Sequence, residues 1–128
     1  MSLTHTREER DARLFQGSIH RFSLGVAAQK LRDEPEYLRN GRNGTTLMKN
    51  QELRVVLEVV GAGFALARHR VAGAVTVQVL EGELRVGARE EVLYLRAGDL
   101  VTLPPREPHS VEAVHDAAFL ITVAPEVD

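Results

Sequence analysis

Cysteine and tryptophan are absent from this 128-residue chain, and aromatic residues make up only 5% of it. Without cysteine there can be no disulfide and no thiolate metal site; the composition fits a reducing compartment, with the cytoplasm as the expected one. No apolar run approaches the roughly 18 residues of a membrane span, and no basic-then-apolar leader opens the chain, so no membrane partner is expected. An excess of either charge is missing too: 16 Lys+Arg stand against 18 Asp+Glu, a net charge of −2 with both signs interspersed. With no polybasic run or aromatic–basic face, no nucleic-acid partner is expected. The familiar catalytic patterns are also lacking. No Ser/His/Asp or Cys/His set can be assembled, and no strand motif pairs two carboxylates. Gly61-Ala62-Gly63 lacks the third glycine and the Lys-Ser/Thr pair of a phosphate loop, so it reads as a turn.

What is present is the make-up of one globular domain, 44% hydrophobic and 27% charged. Composition changes near residue 45. Residues 1–16 read as a charged, mobile arm. From Ser23, a potential N-cap, Leu24, Ala27, Ala28 and Leu31 recur at helical spacing until Pro35 interrupts them. A short helical turn then closes at Asn40-Gly41. Residues 1–45 are therefore expected to form an arm and short helix packed on the remainder, 46–128. That remainder reads as strands at 53–60, 71–80, 83–86, 91–95, 100–103, 110–113 and 119–123, separated by Gly, Pro and Asp turns. Short strands at this spacing predict an all-β sandwich or barrel.

Within the strand-rich half, Gly63 is followed at fixed intervals by His69 and then by Leu80-Glu81-Gly82. Further on, Gly98-Asp99 is followed by Pro104, Arg106 and His109. These spacings resemble the two motifs of the cupin superfamily, Gly-x5-His-x-His-x(3 or 4)-Glu-x6-Gly and Gly-x5-Pro-x-Gly-x2-His-x3-Asn, over roughly residues 63 to 123. The resemblance implies an all-β fold, a double-stranded β-helix or jelly-roll barrel, preceded here by the short N-terminal helical segment. Typical metal-bearing cupins gather three His and one Glu on one cation. This chain departs from that set: Val71 stands at the second His position, Val75 at the Glu, Arg106 at the second-motif Gly and Ala113 at the Asn.

Strand alternation places His69, Val71, Val75, Val77 and Val79 on one face, toward the interior, and Thr76, Gln78 and Leu80 outside. His109, Val111 and Ala113 share a face, opposite Ser110 and Glu112. The expected ligand-binding set is His69, Val71, Val75, Arg106 and His109, with Arg106 reaching over the mouth toward an anionic ligand. No cofactor is required by these residues. A divalent transition metal (Zn, Ni, Cu, Mn or Fe) would be held by His69 and His109, with help from waters or a carboxylate such as Glu58. Arg68 and Arg70 have outward parity, and His5, His20 and His115 read as surface residues. Arg54, Val56, Glu58 and Val60 share a parity read here as outward; such a mixed apolar face invites a homodimer, the common state among cupins. Three readings stay open. One is a barrel binding a small polar molecule between the two histidines, and a second is a metal-dependent enzyme (dioxygenase, isomerase or decarboxylase) with a reduced two-His site. The third is a filled barrel serving a structural role.

Overall fold

The computed structural model describes residues 19–69 and 72–124, with the backbone alone at 67–69. Two helices lead. Helix α1 (Leu24–Asp33) follows Ser23 at its N-cap, and its Ala28 and Leu31 are buried. Helix α2 (Pro35–Asn40) starts with proline at its first turn and stops at Gly41, whose φ of 73° is the left-handed cap conformation. Seven strands follow: β1 (Arg42–Lys49), β2 (Arg54–Val60), β3 (Ala65–His69), β4 (Val75–Ala88), β5 (Glu91–Arg96), β6 (Leu100–Leu103) and β7 (His109–Val123). All pairings are antiparallel, in the order β1-β2-β7-β4-β5, with β3 added to β7 and β6 to β4.

The long strands β4 and β7 explain how one sheet makes a barrel. They run side by side for their whole length, but the register slips between Val79 and Leu84. Before the slip β4 pairs with β6, and after it with β5. Likewise β7 pairs first with β3 and then with β2. Gly82 sits at the bend with φ 81°, and a Cβ there would lie 2.0 Å from the Asp116 carbonyl oxygen. Only glycine fits that approach. The two arms enclose one buried cluster in which Val75, Val77, Val79 and Phe119 from the first arm meet Leu84, Val86, Val111 and Ala113 from the second. The expected jelly-roll barrel is thus present, with β4 and β7 each continuous where the sequence suggested two strands divided by a turn.

The helices close the other side of the first arm. Ala28 and Leu31 pack with Leu47, Leu57, Val59 and Ala118 in a second buried cluster. Polar contacts fasten them. Asn43 Nδ2 donates to the Leu31 carbonyl at 3.0 Å and to Glu34 Oε1 at 2.9 Å, and Arg32 meets Glu81 at 2.6 Å. This cover corrects the outward assignment of Val56, Glu58 and Val60; Arg54, at the start of the strand, is exposed. Val60 belongs to the barrel core, and Glu58 is cross-strand to the core residue Phe119, so their face points inward. Leu57 and Val59, on the opposite face, lie under α1. With both faces covered, β2 has no polar side for alternation to reveal.

Candidate functional site

The motif residues gather at the end of the barrel away from the bend. Val75 is seven residues before Gly82, and Ala88, the register partner of His109, is six residues after it. At about 3.3 Å per residue both stand roughly 20 Å from the bend, at matching heights on facing arms. Val75 is 2% exposed and pairs with Leu103 and Val123. The inward parity of Val75, Val77 and Val79 holds, as does the exposure of Gln78.

His109 opens β7 and is 1% exposed, a buried polar residue on the face it shares with Val111 and Ala113. Its Nδ1 lies 3.1 Å from the Glu107 carbonyl oxygen. A carbonyl can only accept, so Nδ1 carries the proton and, in the neutral ring, Nε2 carries the lone pair. The backbone thereby selects the tautomer that can accept from a ligand or coordinate through Nε2.

The strand β3 ends at His69, and its Cα is the register partner of His109. The two motif histidines are therefore neighbours across the β3–β7 ladder. A register shift between Leu66 and His69 marks a bulge, which interrupts simple alternation through Ala67 and Arg68. Val71 lies outside the described residues, as do Arg70 and His5. His20 and His115 are exposed as expected; His115 Nε2 lies 3.8 Å from Glu83.

Arg106 is exposed and sits in the turn that precedes His109. Glu107 N–H donates to the Pro104 carbonyl at 3.3 Å, closing a four-residue turn with Pro105 second and Arg106 third. Arg106 has φ 63°, the left-handed value a type II turn demands at that place. The cupin pattern puts glycine there, so Arg106 holds a glycine-like backbone conformation at a glycine position. The motif glycines Gly63, Gly82 and Gly98 share this positive φ, which gives their spacing its backbone reason.

Two contributors escape sequence reading. The Glu107 carbonyl orients His109, but a backbone acceptor leaves no trace in residue type. Glu107 Oε1 also accepts from Arg89 Nε at 2.6 Å, tying the turn to the β4–β5 hairpin. Arg89 is itself at φ 56°. Its position in a Gly87-Ala88-Arg89-Glu90 turn is visible in the sequence, but its reach to Glu107 is not.

The donor set decides whether a metal of the usual cupin kind fits. Val75 offers no lone pair where the carboxylate would stand, and no group of three or more His, Asp or Glu exists among the described residues. The pair His69 and His109 falls short of the three protein ligands of a catalytic site. Glu58 does not restore the third. Val75 is level with Val123 and Arg54 in the register, and Glu58 lies four residues further along β2, about 13 Å away. Its carboxylate folds instead against Gly44, 2.6 Å from where a Cβ would stand. The described residues do not assemble the donor set of a resident catalytic metal.

Residues 53–124 match the cupin domain family. Among solved structures, the fold is similar to an RmlC-like cupin from Shewanella frigidimarina. That match has 24% identity and a TM-score of 0.67, covering 86% of this chain and 95% of that one. It is also similar to an RmlC-like cupin from Desulfovibrio desulfuricans, with 22% identity, a TM-score of 0.69, and coverage of 86% and 100%. A salicylate 1,2-dioxygenase from Pseudoaminobacter salicylatoxidans shares 22% identity with a TM-score of 0.65; the match covers 81% of this chain and 32% of the enzyme. No curated protein matches. Identities this low speak for the fold alone. The family match spans more than half of the sequence and coincides with the bent barrel and its motif turns: this chain belongs to the cupin family.

Proposed function

We propose that the end of the barrel away from the bend binds a small polar molecule, with His69 and His109 as its polar wall and Val71 and Val75 as its apolar wall. The observation that carries this reading is His109: a polar side chain 1% exposed at the start of β7, on the face it shares with Val111 and Ala113, its ring oriented by donation from Nδ1 to the Glu107 carbonyl. A cavity lined mainly by aliphatic side chains with one or two fixed polar groups suits ligand enclosure. Arg106, exposed on the turn before His109, favours a ligand carrying negative charge. The imidazole pair also suits proton exchange with such a ligand near neutral pH. A metal-dependent reaction of the dioxygenase, isomerase or decarboxylase kind would need donors beyond this pair.

The test is elemental analysis, with native mass spectrometry, of protein purified without a tag or chelator. The reading expects substoichiometric metal and an organic adduct, or an anionic ligand whose affinity falls at least tenfold on His109→Ala. Stoichiometric zinc, nickel, copper, manganese or iron that disappears on His69→Ala would overturn it.

A further inference from the structure

The strand β5 is an exposed sheet edge with little of the usual protection, its charges confined to Glu91 and Arg96 at its two ends. Among the described strands it pairs with β4 alone. Four consecutive residues, Glu91 to Tyr94, are exposed, and three of them are large and apolar: Val92 at 46%, Leu93 at 36% and Tyr94 at 60%. The other edges are blunted. β6 has four residues, while the registers of β1 and β3 are broken by shifts. The β5 register runs unbroken from Glu91 to Arg96, with no proline and no lysine. An apolar, uninterrupted edge is a template for another strand.

The direction of its backbone groups can be read from its neighbours. Ala113 exchanges bonds with the β3 side: it donates to Phe64 at 3.0 Å and accepts from Gly63 at 2.9 Å. Alternation across β7 and β4 then turns Leu84 and Val86 toward β5, and their register partners Leu95 and Leu93 back toward β4. Arg96 agrees, since its N–H and carbonyl both bond to Asp99 in the following loop. The N–H and C=O of Val92 and Tyr94 therefore point away from β4.

We infer that β5 is the homodimer edge of this protein, with a second copy's β5 antiparallel to it about a two-fold axis at Leu93. This register is the one that places the outward groups of Val92 against those of Tyr94 of the partner, and the reverse. It sets Leu93 against the partner's Leu93, and at each end it brings Glu90 to the partner's Arg96. The strand is complementary to itself in backbone phase, in apolar side chains and in charge, which is why a second copy suits it better than an unrelated peptide.

The full chain has no cysteine, so Leu93→Cys supplies a single reporter. A non-hydrogen-bonded antiparallel pair has Cα atoms about 4.5 Å apart, within disulfide range. Mild oxidation should convert Leu93→Cys to a covalent dimer, while Thr102→Cys on exposed β6 should not crosslink. By light scattering at tens of micromolar, the unmodified chain should have twice the 14.2 kDa chain mass. Tyr94→Pro removes an outward donor and leaves the β4–β5 ladder intact, so it should be folded by circular dichroism and monomeric. Glu90→Arg should weaken the dimer at least tenfold, and adding Arg96→Glu should restore it. A monomeric parent chain would overturn the inference. So would a dimer that survives Tyr94→Pro and fails to crosslink at position 93, or one lost only on removing residues 1–18.

Discussion

Replacing Gly82 with alanine tests the bend on which the two arms of the barrel close. In the native backbone Gly82 has φ 81°, and an added Cβ would lie 2.0 Å from the Asp116 oxygen, 2.8 Å from its carbonyl carbon and 2.9 Å from the Ala117 Cα. All three are backbone atoms, so no side chain can swing aside. The left-handed backbone costs alanine about 1–2 kcal/mol, and overpacking adds about 1–3 kcal/mol. Together these give roughly 2–5 kcal/mol of destabilisation. For a chain of this size each kcal/mol lowers Tm by about 3 °C. The expected loss is therefore on the order of 6–15 °C by calorimetry, with a matching fall in the urea midpoint. The slip in the β4–β7 register should widen, read as faster amide exchange at residues 80–84 and 114–117. A Tm within about 2 °C of the parent chain's would refute the reasoning, because the bend would then tolerate the side chain it is said to exclude.

Three further outcomes follow from the same geometry. Arg106→Gly relieves a left-handed arginine worth about 1 kcal/mol and adds a similar unfolded-state entropy; these backbone effects cancel, so its urea midpoint should match that of Arg106→Asn, which loses the same side chain and tolerates the left-handed region, and a gap above about 1.5 kcal/mol between the two would refute the cancellation. Arg89→Ala removes an ion pair whose arginine is 70% exposed, so it should cost at most about 1 kcal/mol, while the Nδ1-protonated tautomer of His109, read from imidazole nitrogen shifts, should persist. Tyr37 is held above its ordinary pKa of 10.0 by burial and by Asp116, against the opposing effect of Arg32. Its contribution is full below pH 10.0. As pH rises further the unfolded chain loses the phenolic proton first, so stability falls. Tyr37→Phe should therefore flatten the alkaline limb of a stability–pH curve, and an unchanged limb would contradict this.

The barrel was legible in the sequence because its turns leave fixed chemical marks. Gly63, Gly82, Gly98 and Pro104 stand where the backbone needs a positive φ or a turn start, and their separations encode the fold. Val75, Val77 and Val79 alternated as read because Gln78 faces solvent on the other side. β2 misled because α1 buries Leu57 and Val59 while the barrel buries Val56 and Val60. β1 passed unnoticed since Arg42-Asn43-Gly44 looks like a loop. Gly82 and His115-Asp116 read as turns dividing strands, whereas they bend strands that continue. At the site, His109 was identified by spacing, but its tautomer depends on a backbone carbonyl that residue type does not report. Arg106 concealed a glycine-like turn behind a charged side chain.

We propose that the cupin site of this chain is a ligand pocket walled by imidazole and valine. A high-resolution crystal structure of untreated protein, with anomalous data above the transition-metal edges, tests it most directly. The account predicts an organic molecule or ordered solvent hydrogen-bonded to His109 Nε2 and in contact with Val75, with no anomalous peak. A cation bound jointly by His69 and His109, or a packed side chain filling the space at Nε2, would contradict it.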